Sequence, residues 1–254
     1  MRAAGLLLAL LVRPAMAQDP VADFHGERVV WEVRYAGVVA GTAWASSEAG
    51  EGGTLVLEGG ARNAPWYGKL YSIDDYVKST WLPGMGSQRY ETRFREGGFH
   101  QDQDMRLDAL GFDVWRKQRI DGEWKEWTKH YTSTPGAEDP ISAIHRLRLL
   151  QDEALAPTEI GMGWTFPVFS GDKTWPLLVT VEEKGSLETE ALGTVPVRVL
   201  ELRTMHKGML EQRGNFRIWL TDDARRIPVK MVVKTNFGAI RVDLLEYQAP
   251  SKAP

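Results

Sequence analysis

The sequence predicts a mainly β protein: a strongly curved antiparallel sheet or incomplete β-barrel of many hairpin-connected strands, with one covering α-helix. Three observations carry that expectation. Apolar and polar residues alternate with a period of two along most of the chain, short joints rich in Gly, Pro or Asp separate the alternating runs, and a single segment shows a 3.6-residue period. The composition, 43% hydrophobic and 26% charged, is that of a globular chain and excludes disorder or a collagen-like fibre.

The chain opens with an export-signal pattern. Arg2 gives a positive start, Ala3 to Val12 form an apolar run, and Ala15-Met16-Ala17 matches a small-x-small cleavage site with Gln18 as the new N-terminus. The apolar run is half the roughly 20 residues that a spanning helix needs. The expected organisation is a signal peptide over 1–17, cleaved near Ala17, a single β-rich domain over 18–248 and a disordered tail over 249–254. The expected compartment is the periplasm, with no transmembrane anchor in the mature chain.

The strands follow in order. In Arg28 to Tyr35, Val29, Trp31, Val33 and Tyr35 share one face while Arg28, Glu32 and Arg34 take the other, the pattern of a half-buried strand. Val38 to Ser47 follows across Ala36-Gly37 as the second arm of a hairpin, and Thr54 to Glu58 is reached over the Gly-rich turn Gly50 to Gly53. Tyr71 to Trp81, Gln88 to Arg95, Phe99 to Leu107, Phe112 to Ile120 and Glu123 to Tyr131 continue the series. Asp121-Gly122 between the last two is a strong hairpin signal. Short connections of this kind make neighbours antiparallel.

One helix interrupts. Asp139 is a natural N-cap, Pro140 suits the first turn, and Ala143, Leu147, Leu150 and Ala154 lie on one stripe, with Arg146 and Arg148 on other faces. The spacing predicts a helix from Pro140 to about Glu153 that buries one apolar stripe against the sheet. Afterwards Trp164 to Phe169, Lys173 to Glu183, Leu187 to Ala191, Val195 to Thr204, Asn215 to Leu220, Pro228 to Thr235 and Ala239 to Tyr247 read as strands, with turns at Gly171-Asp172 and Phe237-Gly238. The total is about fifteen short strands.

Most chemistry finds no motif. The absence of cysteine excludes disulfides, thiol catalysis and thiolate metal sites. A net charge of −3 leaves no basic surface for gripping nucleic acid. There is no Gly-x-Ser-x-Gly, no phosphate-cradling Gly motif and no His-Glu-x-x-His. His100, Asp102 and Asp104 share a strand face that suits a hard cation or, more simply, solvent, and Asp222-Asp223-Ala224-Arg225 reads as a polar turn. No catalytic residue, metal or cofactor is assigned, and the chain is expected not to be an enzyme.

Ten tryptophans stand out. They either fill the core of a wide sheet or in part line an apolar cavity, since binding pockets are mostly apolar with few polar groups. The candidate ligand-binding residues are Trp66, Tyr67 and Tyr71, in a loop before a strand, with Trp81, Trp115 and Trp127 on strands.

Three segments resemble a known family. Phe216 to Asp223 followed by Arg226-Ile227-Pro228-Val229-Lys230, Gly238-Ala239-Ile240 and Leu244 resembles the end of the bacterial family called domain of unknown function 3108. Glu27 to Val33 with Gly37 to Gly41 resembles its start, and Asp139 to Arg148 its helix. The resemblance implies an exported, mostly antiparallel β protein of unassigned activity. The Trp-Leu-x-Asp-Asp and Ile-Pro-Val-Lys pattern is also similar to the closing strands of periplasmic lipoprotein carriers, which implies a cavity for acyl chains. The leading functional expectation is a periplasmic carrier-like module for an apolar, acyl-bearing ligand. Its rivals are a structural or protein-interaction module of the bacterial envelope with a filled core, and a hydrolase acting on envelope glycan or lipid. The expected partners are a lipid or acyl ligand, or an envelope protein.

Overall fold

Two hairpins set the pattern of the structure, a computed structural model describing residues 20–69, 71–108, 111–150, 163–170, 172–204, 216–235 and 238–251. At Ala36-Gly37 and at Asp121-Gly122 both central residues have positive φ, which matches the twist of the flanking strands. A short helix, α1 (Pro20–Phe24), leads into β1 (Glu27–Tyr35), β2 (Val38–Ala49), β3 (Leu55–Asn63), β4 (Asp74–Leu82), β5 (Gly86–Glu96), β6 (Phe99–Leu107), β7 (Gly111–Ile120) and β8 (Glu123–Thr132). Helix α2 (Pro140–Arg148) follows, then β9 (Trp164–Ser170), β10 (Lys173–Thr189), β11 (Gly193–Thr204), β12 (Phe216–Thr221), β13 (Pro228–Thr235) and β14 (Gly238–Gln248). The signal peptide, the helix residues expected beyond Leu150, Gly171, Phe237 and the last three tail residues lie outside the described residues.

The expected strongly curved sheet or incomplete barrel does not form. The strands make one open 14-stranded sheet in the order β8-β7-β6-β5-β4-β3-β2-β1-β14-β13-β12-β11-β10-β9, every described pairing within it antiparallel, and its two ends do not pair with each other. The reason lies just before α2. Glu138 bridges Val168 in parallel; its N–H donates to the Pro167 carbonyl at 2.9 Å, and the Phe169 N–H donates to the Glu138 carbonyl at 2.9 Å. The outer edge of β9, which a closing strand would need, is therefore occupied by the chain's own connecting segment. Short joints decide which strands are neighbours; they say nothing about whether the two edge strands, β8 and β9, meet.

Two expected strands also merge. Lys173 to Glu183 and Leu187 to Ala191 become the single 17-residue β10, which passes Gly185 without turning and absorbs a bulge between Val181 and Glu183. The strand expected to end at Glu58 continues through Gly59 and Gly60. A side chain at Gly59 would press on Ile141 of α2, and one at Gly60 would meet the Trp44 indole and the Asp75 carbonyl. These glycines are seats for packing partners rather than a turn.

Helix α2 is the keystone of the interior. Asp139 Oδ1 accepts from the Ile141 and Ser142 N–H groups at 2.8 and 2.9 Å, and Ser142 Oγ accepts from the Asp139 N–H at 2.9 Å, a reciprocal cap. Asp139 Oδ2 accepts from the hydroxyls of Ser79 on β4 and Ser87 on β5 at 2.5 and 2.6 Å. The helix buries Ile141, Ser142, Ala143, His145, Leu147 and Arg148, so more than the one expected apolar stripe is covered, and it stops at Arg148. Arg226 donates to the Arg148 carbonyl at 2.8 Å, which satisfies one of the last helical acceptors.

The apolar interior falls into three clusters. Leu55, Leu57, Trp81, Tyr90, Met105, Phe112 and Val114 pack with Ile141 and Phe169. Ala143 and Leu147 pack with Phe166, Val179, Leu200, Ile218 and Leu220. Val29, Trp31, Ile227, Val229 and Leu244 form the third. Phe169 stacks on Phe112 and meets the Tyr90 ring edge-on, so the two ends of the sheet touch through side chains without a ladder.

Candidate functional site

An apolar groove lies where the ends of β1, β2 and β3 meet the loop leading to β4. Asn63, the last residue of β3, fixes that loop: its Nδ2 donates to the Tyr71 carbonyl at 2.6 Å and its Oδ1 accepts from the Ile73 N–H at 2.9 Å. The Ala64 N–H donates to the Ala40 carbonyl at 2.7 Å, and Tyr67 to Lys69 form one 3₁₀ turn. Gly41 allows the close crossing, because a side chain there would collide with the Arg62 carbonyl and the Asn63 backbone.

The resulting groove has a volume of about 260 Å³ and is walled by Val33, Tyr35, Ala40, Tyr67, Ile73 and Ile240, with Tyr71, Arg62 and Asn63 at its margins. Trp66 meets Tyr67 edge-on at 5.4 Å and is 49% exposed, and Tyr71 is 44% exposed. Partial burial, and then the charges of Glu96 and Asp75, push the Tyr71 phenol above the ordinary tyrosine range, so it stays neutral. Arg62 is paired with Asp74 at 2.9 Å. The described lining is mainly aromatic and aliphatic, with Arg62 as its charged group.

Beneath α2, where a carrier would hold its ligand, the space is filled. The void between the helix and β1–β2 measures about 30 Å³, and Glu27, Trp31, Ser47, His145 and Arg148 line it. Here Arg148 makes a bidentate ion pair with Glu27 at 2.6 and 2.7 Å and lies over the Phe24 ring at 4.5 Å. The Tyr247 hydroxyl donates to Glu27 at 3.1 Å, and Arg148 also donates to the Arg225 carbonyl at 3.0 Å. Burial, then the positive charge of Arg148, hold His145 down to about 4; its Nδ1 donates to the Ile141 carbonyl at 3.0 Å, which fixes the neutral tautomer.

Of the six expected ligand-binding residues, Tyr67 and Tyr71 line the groove, and Trp66 stands beside it through its contact with Tyr67. Trp81 is 0% exposed, inside the core under α2. Trp115 lies elsewhere on β7, its Nε1 donating to Glu126 at 2.7 Å, beside a shallow polar depression of about 510 Å³ shared with Tyr76. Trp127 lies on β8, with the Arg116 guanidinium 5.9 Å from its ring. Val33, Tyr35 and Ile240 are groove residues that the sequence did not single out. They come from β1 and β14, and only the β1 alternation, which puts Val33 and Tyr35 on the inner face, pointed toward them.

Arginines lie against the strand face of His100, Asp102 and Asp104. Asp102 pairs with Arg95 at 2.6 Å and Asp104 with Arg89 at 2.8 Å. Among the described residues no group of three or more His, Asp or Glu side chains could hold a metal ion. Asp223 serves its turn, accepting from the Arg225 and Arg226 N–H groups at 3.0 and 3.2 Å. No described helix is long and apolar enough to cross a membrane.

Comparison with known proteins adds the lineage. No curated protein matches the sequence. A solved β-barrel-like protein of domain of unknown function DUF1849 from Brucella abortus is similar at 12% identity and a TM-score of 0.57, covering 91% of this chain and 100% of its own; at that identity it speaks for the fold alone. A candidate lipoprotein from Parabacteroides distasonis, 10% identical over 90% of this chain and 98% of its own, gives a TM-score of 0.33. Residues 30–245, which span the sheet from β1 to β14, match the family described as protein of unknown function DUF3108, and the chain belongs to that family.

Proposed function

We propose that the protein is a non-enzymatic structural or protein-interaction module of the bacterial envelope, built on a filled core and contacting its partner through the aromatic rim of Trp66 and Tyr71. The observation that supports this is the 30 Å³ void under α2: the place reserved for cargo holds the Glu27–Arg148 pair, while the apolar surface on offer lies outside. The export pattern of residues 1–17 supports the periplasm as its compartment.

The test is capture from envelope extracts with the mature protein and with Trp66→Ala. A specific protein retained by the first and lost from the second is the expected result. Retention unchanged by the substitution overturns the assignment of the rim.

A carrier of an apolar ligand is the second reading, and the groove favours it. At about 260 Å³ the groove falls just below the roughly 300–1,000 Å³ of ordinary ligand pockets. Native mass spectrometry of the purified protein and displacement of a fluorescent fatty acid separate the two readings. A co-purifying lipid released by Tyr67→Ala would replace the first reading with the second.

A further inference from the structure

The two ends of the sheet are treated differently. The outer edge of β9 is paired with Glu138, whereas no described residue pairs with the outer edge of β8. All ten residues of β8 are exposed or half-exposed. An open edge of this length is a template for another strand.

We propose that β8 pairs antiparallel with β8 of a second copy of this chain, in the register centred on Thr128. The occupant is argued from charge and symmetry. Two copies related by a two-fold axis normal to the sheet keep the same faces, and directly opposite residues of antiparallel strands share a face. The numbers of opposing residues must therefore add to an even constant, which leaves few central registers. Centred on Glu126, that carboxylate faces itself. Centred on Trp127, Lys125 faces the partner's Lys129 on both sides of the axis. Centred on Lys129, that ammonium faces itself. Centred on Thr128, Glu126 faces the partner's His130, Trp127 faces the partner's Lys129 and Lys125 faces the partner's Tyr131. Lys125 and Lys129 then meet ring faces, Glu126 meets an imidazole whose N–H can donate to it, and no like charges face each other. The lysines that would blunt a promiscuous edge here select one register.

The groups involved are already held in place. Glu126 accepts from the Trp115 indole at 2.7 Å, and His130 Nδ1 pairs with Asp113 at 2.8 Å. Both side chains stand on the solvent-exposed part of the strand, so exchanging them leaves the core untouched. The surface is separate from the groove, and its test does not depend on the proposed function.

The experiment is sedimentation or light scattering of the mature full-length chain over a concentration series, with circular dichroism as the folding control. The wild type is expected to dimerise. Glu126→Lys or His130→Glu alone is expected to weaken association by about tenfold, because each pair occurs twice across the axis. The double exchange is expected to restore it. A wild type that stays monomeric throughout overturns the proposal, as does a dimer indifferent to both single exchanges. A wild type that is monomeric until an envelope extract protects β8 from hydrogen exchange assigns the edge to a different protein.

Discussion

Arg148 shows how much of this interior is polar by necessity. At 3% exposure its guanidinium is neutralised by Glu27 and shares donors with the Arg225 carbonyl, tying α2 to β1 and to the β12–β13 turn. Removing one partner of a buried pair leaves the other charge unpaired, so Arg148→Met is expected to cost about 3–5 kcal/mol in urea unfolding, and Glu27→Gln with Arg148→Met less than the single change. A double variant no better than the single would mean that packing, not charge, governs the site. His145, one turn closer to the cap, sets a pH dependence. Its folded value of about 4 lies below its ordinary value near 6.5, so between those values the unfolded chain binds the proton and the folded one does not. Stability carried by the neutral imidazole is present above about pH 6.5 and falls on acidification to about pH 4, by up to about 1.4 kcal/mol per pH unit. Glu138 and Asp139, both raised by burial, titrate with the opposite sign, so the measurement is the difference between wild type and His145→Gln. A flat difference curve between pH 4 and 6.5 would remove the histidine from the account. The tryptophans divide in the same spirit. Trp31 is buried and its Nε1 donates to the Pro228 carbonyl at 2.7 Å, so Trp31→Ala is expected to cost about 3–5 kcal/mol, whereas Trp66→Ala should leave the melting point nearly unchanged. Equal losses on melting would mean that Trp66 is a core residue. The sequence could count tryptophans but not sort them, because burial of Trp81 depends on a helix that arrives sixty residues later.

At the scale of elements, the parts with local causes were legible and the parts with distant causes were not. Asp139-Pro140 announces the start of α2 through its own cap chemistry, and Asp121-Gly122 announces its hairpin through its own positive φ values. The helix ends earlier than expected, at Arg148, whose carbonyl accepts from Arg226, a residue that no window around 148 contains. The strands expected to end at Glu58 and Glu183 run on through Gly59-Gly60 and Gly185, and at the first pair α2 and Trp44 occupy the space a side chain would need. Of the candidate site, the Trp66–Tyr71 loop was visible as a run of aromatics, while the walls from β1 and β14 required the tertiary fold. The cap itself yields a prediction. Asp139 holds the helix start and also receives the Ser79 and Ser87 hydroxyls, so Asp139→Ala strands two buried donors besides losing the cap. Its cost in chemical denaturation is expected to exceed the roughly 0.5–2 kcal/mol of a cap alone. Asp139→Asn keeps the cap oxygen and should recover part of the loss; no recovery would place the cost in the serine contacts.

The whole molecule is one sheet whose middle is made by its two termini. β1 pairs with β14, so the strands β1–β8 and β9–β14 form two contiguous halves joined along that single ladder. Nothing local encodes this pairing, which is why alternation and short joints led to a curved or partly closed sheet rather than an open one. Helix α2 follows the first half in sequence but divides its apolar face between both: Ile141 packs with β3–β7, whereas Ala143 and Leu147 pack with β9–β12. The Glu27 carboxylate likewise takes Arg148 from the helix and the Tyr247 hydroxyl from β14. Neither half can therefore complete its core alone, and the full chain is expected to unfold in one cooperative step. Far-ultraviolet circular dichroism and tryptophan fluorescence should give coincident denaturant transitions, and a fragment spanning residues 20–150 should lack a sharp transition of its own. Two separated transitions, or a fragment that melts cooperatively, would show that the β1–β14 ladder joins two independent domains, because a shared helix and a shared buried ion pair permit only concerted loss.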